Sequence, residues 1–150
     1  MTEKITAGYA TEYEAKVTEN HGKHARLLMG RNGGLYDVAV AGQPKITVAV
    51  ENHDYGMWMA VAITGDKQVV AEADAKDKAV RKAIANLLHD LMTPRARLLD
   101  ELAGAKQAAA DPVLNPDVRK MALVEAERLT NELAVYDEQA DDERRAARKE

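Results

Sequence analysis

The chain has 150 residues, 21 Lys and Arg against 25 Asp and Glu, a formal net charge of -4, and no Cys, Phe or Ser. That length suits one domain, or one domain with an appendage. The missing residue types exclude disulfides, thiolate metal ligands and any Cys or Ser nucleophile. Ala supplies 27 of the apolar residues, and Leu, Ile and Val together number 30, so the core-forming content is modest. No apolar run approaches the roughly 20 residues of a membrane span. Met1 to Ala10 lacks the basic-then-apolar order of a signal peptide. The sequence therefore reads as a soluble, cytoplasmic protein.

From Tyr9 to Ala73 the period is two. Tyr9, Thr11, Tyr13, Ala15 and Val17 alternate with Glu12, Glu14, Lys16 and Thr18. His24 to Met29 forms a second alternating segment. Gly30-Arg31-Asn32-Gly33-Gly34 follows as a hairpin turn, with Asn-Gly supplying positive φ. Leu35 to Ala41 gathers Tyr36, Val38 and Val40, and Gly42-Gln43-Pro44 ends it because Pro cannot donate to a central ladder. Lys45 to Glu51 turns Ile46, Val48 and Val50 to one side. Met57 to Thr64 is apolar on both faces, with Met57, Met59, Val61 and Ile63 opposite Trp58, Ala60, Ala62 and Thr64. Gly65-Asp66-Lys67 leads into Gln68 to Ala73. Connections this short favour an antiparallel meander over parallel crossovers.

At Asp74 the period becomes 3.6. Val80, Ile84, Leu87, Leu88 and Leu91 form a stripe, with Asp74 as the expected N-cap. Thr93-Pro94 starts a second helix to about Ala109 carrying Leu98, Leu99, Leu102 and Ala105. Asn115-Pro116 starts a third, whose stripe is Val118, Ala122, Ala126, Leu129, Leu133, Tyr136 and Ala140. Its end, Asp137 to Glu150, is almost wholly charged or Ala, and is expected to fray or lean on a partner. The fold class expected is α+β. An antiparallel meander of about five or six strands packs on one helix in residues 1–92, and a helical hairpin follows in residues 93–150.

Charge is segregated. Residues 1–74 hold 7 basic and 10 acidic groups, residues 75–110 hold 7 and 4, and residues 111–150 hold 7 and 11. Lys76, Lys78, Arg81 and Lys82, extended by Arg95 and Arg97, form the basic block. His21, His24 and His53 read as loop histidines with no metal-ligand spacing beside them, and no cofactor motif is present. The chemistry expected is binding without catalysis.

Gly30-Arg31-Asn32-Gly33 is similar to the Gly-x-x-Gly clamp of KH domains, but the seven residues before Gly42 leave no room for that family's second helix. Pro44 to Met92 resembles the β-β-β-α part of double-stranded RNA-binding domains in the order of its elements. That resemblance implies a groove contact for His53 and phosphate contacts from Lys76-Asp77-Lys78-Ala79-Val80. Asp77 and Val80 replace two of the run's three lysines, Arg81 and Lys82 partly substitute, and no N-terminal helix precedes. Two functions are expected. The first is an assembly protein, a homodimer self-associating through Leu129, Leu133 and Tyr136, that docks on a larger protein partner as a bacterial or phage accessory factor would. The alternative is nucleic-acid binding through the basic block, with His53 and Trp58 as further contacts. No membrane partner is expected.

Overall fold

The computed structural model describes residues 2–22, 33–53 and 56–148, which divide into two compact units: Met1–Ala7 with Glu12–Leu91, and Gly8–Thr11 with Met92–Glu150.

The first unit is an antiparallel six-stranded meander with strands neighbouring in sequence order: β1 (Glu3–Ala7), β2 (Thr11–Glu19), β3 (Gly33–Val40), β4 (Ile46–Asn52), β5 (Trp58–Thr64) and β6 (Lys67–Ala73). Helix α1 (Lys76–Asp90) packs on β4, β5 and β6 and also on β1, the far edge, so the sheet curls around it. Alternation decides the register. Tyr36 pairs with Val48, Val48 with Ala62, and Ala62 with Val69, which puts all four on the helix side. Ile46, Val48 and Val50 are fully buried there with Ile84, Leu87 and Leu88 of α1. Each such side chain contributes roughly 1.5–3 kcal/mol by leaving water. Ala60 and Ala62 on β5 meet a helix whose own Ala79 and Ala83 are buried. Small residues on both sides let the helix sit close. Between β5 and β6 the two-residue loop Gly65-Asp66 has Gly65 at φ 58°, the positive value that twist-matched hairpin turns require.

The second unit is a hairpin of α2 (Pro94–Ala110) and α3 (Pro116–Arg148). The Thr93 hydroxyl accepts from the Ala96 amide at 3.1 Å, and the Asn115 side chain accepts from the Asp117 amide at 2.9 Å, so both helices begin where cap and Pro coincide. Leu102, Ala126 and Leu129 are buried between them, with Leu98, Ala105 and Leu133 packed around.

Several sequence expectations need correction. Strand β1 lies before the expected start of the sheet at Tyr9; only Ile5 and Ala7 are buried in it, too few to register as a period. Tyr9 is not a strand residue with a core side chain but sits in a turn, 70% exposed. Gly33 and Gly34 belong to β3 and not to a turn, while the strand expected at His24 to Met29 and Asn32 lie outside the described residues. Asp74 does not cap α1: the N-cap is Ala75, with no side-chain cap, and the Asp74 carboxylate takes the Lys78 ammonium at 3.2 Å instead. The charged end of α3 stays helical to Arg148, exposed from Asp141 onward.

Candidate functional site

The basic residues of α1 are engaged within their own unit. Lys76, in the first turn, is half-buried with its ammonium 5.8 Å from the centre of the Tyr36 ring and 5.9 Å from that of Trp58. Both rings are on the helix side of the sheet, so Trp58 lies beneath the start of α1. Gly34 makes the space: a Cβ there would come within 3.3 Å of Lys76 Cε and Nζ. Lys78 pairs with Asp74, Arg81 donates to the Lys4 carbonyl at 3.0 Å, and Lys82 donates to the Glu72 carbonyl at 3.3 Å. Lys78, Arg81 and Lys82 remain exposed, but Arg81 also borders a recess lined by Glu3, Glu19 and Asp77. Those carboxylates counter the positive field a phosphate backbone would need. His53 is exposed at the end of β4, its backbone amide donating to the Met57 carbonyl at 2.6 Å.

Arg95 and Arg97 belong to the second unit. Arg95 Nε reaches an Asp137 oxygen at 2.9 Å, and that hydrogen bond raises the guanidinium pKa above its ordinary value. Arg97 is exposed. Among the described residues no group of three or more His, Asp and Glu is placed to hold a metal ion. No helix there is long and apolar enough to cross a membrane.

Of the three residues assigned to self-association, Leu129 and Leu133 are already used inside the hairpin. Leu129 is buried against Leu102, and Leu133 packs on the same cluster. Tyr136 is half-buried and lines a groove with Leu98 and Val135, bordered by Arg128, Asn131 and Gln139. A second stripe lies beside the first. Met121, Val124, Arg128, Asn131 and Val135 follow one another at spacings of three, four, three and four, and all five are exposed, Met121 by 71% and Val124 by 68%. Arg128 bridges Glu125 and Glu132 on its own helix, which raises its pKa and lowers that of Glu125 through the shared hydrogen bond. Its charge is thereby neutralised and its stem lies along the stripe. Val118 and Leu123 are also exposed, so the first turns of α3 carry apolar side chains on every side.

Asp100 was not singled out by sequence reasoning. It is 2% exposed and accepts the backbone amides of Tyr9, Ala10 and Thr11 at 2.8–2.9 Å and the Thr11 hydroxyl at 2.7 Å. Burial acts to raise its pKa, but the hydrogen bonds together outweigh it and hold the carboxyl below its ordinary value. The exposed stripe had a signal, its 3-4 spacing, overshadowed by the richer stripe next to it. Asp100 had none, because its partners are 89 to 91 positions away. No protein-family model, curated protein or solved structure matches this chain.

Proposed function

We propose that this chain is a non-catalytic assembly protein that docks on other protein molecules, a second copy of itself included, through helix α3. The observation that carries this reading is the apolar start of α3, where Val118, Met121, Leu123 and Val124 point to different sides and are all exposed. Four exposed apolar side chains gathered in two turns of one helix mark a surface that a partner covers. Val113, in the loop before it, is 89% exposed. A photo-crosslinking residue placed at Leu123 or Val113 in the full chain, in its native cell, should trap protein strongly. The same probe at Lys78 or Lys82 should trap little. Equal yields from the two regions, or none from α3, would overturn the reading.

The nucleic-acid alternative rests on Lys76, Lys78, Arg81 and Lys82, with His53 and Trp58 beside them. Each of the four cations already has a ring, carboxylate or carbonyl partner in its own unit. Titration with duplex RNA, duplex DNA and single strands at low salt decides between the readings: the assembly reading expects no saturable binding, whereas phosphate contacts would give affinity that falls steeply as salt rises.

A further inference from the structure

The stripe Met121, Val124, Arg128, Asn131 and Val135 has the alternating spacing of a two-helix seam. Its two ends differ in chemistry. From Pro116 to Val124 the helix carries Arg119 and Lys120 against one acid, Asp117, and the next acid, Glu125, is paired with Arg128. Past Val135 it carries Asp137, Glu138, Asp141, Asp142 and Glu143 before the next base, Arg144; Asp137 pairs with Arg95, and Asp141 and Asp142 are bridged at 3.7 and 3.9 Å by the exposed Arg144 and Arg145. The apolar groove of Leu98, Val135 and Tyr136 lies at this acidic end. One end thus offers projecting apolar side chains with positive charge, and the other an apolar hollow with negative charge.

From this we infer that the occupant of the stripe is a second copy of the chain, with the two α3 helices antiparallel about a two-fold axis. The inference rests on the docking reading above and names its partner. Under a two-fold operation each end meets the other, so both halves of the contact form twice. In register, Val124 of one copy faces Val135 of the partner subunit, and Met121 comes opposite the partner's Glu138, beside the groove. Arg128 faces the partner's Asn131, a polar seam position of the kind that fixes register at some cost in stability. Lys120 comes opposite the partner's Asp141 and near its Glu138. On the other flank, Glu125 and Glu132 of the two copies approach one another, with both Arg128 side chains among them offsetting two of the four negative charges. A parallel pair would instead set the acidic segment of each helix beside its own copy. The seam from Met121 to Glu138, symmetric about the two-fold axis, is roughly 27 Å long.

The test uses the full chain and the absence of Cys. Light scattering from micromolar to about 100 µM should give twice the 16.4 kDa chain mass. Val124→Glu, at an exposed site, should return the chain to a monomer with its circular dichroism unchanged. Lys120→Glu or Asp141→Lys alone should raise the dissociation constant roughly tenfold, since each pair occurs twice, and the two together should restore it. A mixture of Val124→Cys and Val135→Cys chains should oxidise to a linked dimer, whereas Val124→Cys alone should not. A monomeric wild type across the range overturns the self-pairing, and strong crosslinking from Leu123 or Val113 would then leave the docking reading standing with a different partner. A dimer that ignores Val124→Glu, or links Val124→Cys to itself, places the contact elsewhere and overturns the inference as well.

Discussion

The two units solve the problem of staying folded in different ways. In the first, both sides of the helix–sheet contact are continuously apolar, and Ile46, Val48, Val50, Ile84, Leu87 and Leu88 are wholly or almost wholly buried. In the second, the cluster between α2 and α3 contains three buried residues, one of them an alanine, and a buried carboxylate is tied to backbone amides. Apolar surface that the first unit encloses, the second leaves exposed along α3. A hairpin with so small a core depends on a few specific contacts, and the surface it leaves uncovered is available to a partner.

Core truncations should separate the units most clearly. Ile84→Ala removes a fully buried side chain from α1 and should cost about 4 kcal/mol in urea unfolding. Leu129→Ala should cost about 3 kcal/mol, because partly exposed neighbours can relax into the space. Its increase in amide exchange should be confined to α2 and α3. If Leu129→Ala loosens β4 and β5 equally, the contrast between the units fails.

Asp100 tests the polar part of that contrast. Asp100→Ala leaves the amides of Tyr9, Ala10 and Thr11 without their acceptor and should cost about 3 kcal/mol. Asp100→Asn, which keeps one acceptor oxygen, should cost less. The pH dependence has a definite sign. Because the folded carboxyl titrates below its ordinary value of 3.8, its contribution is complete above that value and is lost as pH falls through the lower, folded one. The stability gap between wild type and Asp100→Asn should therefore be constant at neutral pH and close in acid. A gap that persists below the folded pKa would mean that shape, and not charge, holds the turn.

Gly104 offers a finer test in the same unit. A Cβ at this helical position would lie 2.7 Å from Tyr9 Cβ, closer than side chains tolerate. Gly104→Ala should thus destabilise the hairpin by about 1 kcal/mol despite alanine's higher helix propensity. In a Tyr9→Gly background the clash is gone, and the same substitution should stabilise by roughly 0.5–1 kcal/mol. Thermal melts of the four chains read the reversal directly.

What was legible in the sequence follows the reach of its signals. Alternation such as Ile46, Val48, Val50 and the stripe of Ile84, Leu87 and Leu88 are local patterns, and Thr93-Pro94 and Asn115-Pro116 are local starts, so meander and helices could be read with no partner in view. Strand β1 could not, because two inward residues, Ile5 and Ala7, do not make a period. Tyr9 looked like a strand residue since the alternation from Thr11 extends back to it, and only the distant Asp100 reveals the turn. Of the stripe Val118 to Tyr136, Ala126, Leu129 and Leu133 pack against α2 of the same chain, whereas Val118 stays exposed, as do Met121 and Val135 on the less apolar stripe beside it. The basic block was visible as composition, while its engagement by rings and carbonyls depends on where α1 crosses the sheet.

The smallest expected effect concerns Lys76, and the chain's single Trp makes it measurable. The ammonium is near two ring faces, Tyr36 and Trp58, and its stem passes over Gly34. Charge and stem contribute separately, and two substitutions divide them. Lys76→Met keeps most of the apolar stem and removes the cation, so its cost should be the cation–π part, about 0.5–1 kcal/mol at a partly exposed site. Lys76→Ala removes the stem as well and should cost more, with a red shift of Trp58 emission as water reaches the ring. Gly34→Ala should push the lysine aside without displacing backbone, since the nearest atoms are the flexible end of Lys76 and the Tyr36 ring, 3.2–3.3 Å from the added Cβ. Its emission change should therefore be smaller than that of Lys76→Ala and should vanish in the Lys76→Ala background. If instead Lys76→Met and Lys76→Ala are alike in both stability and emission, the stem is irrelevant and the contact is one of charge alone.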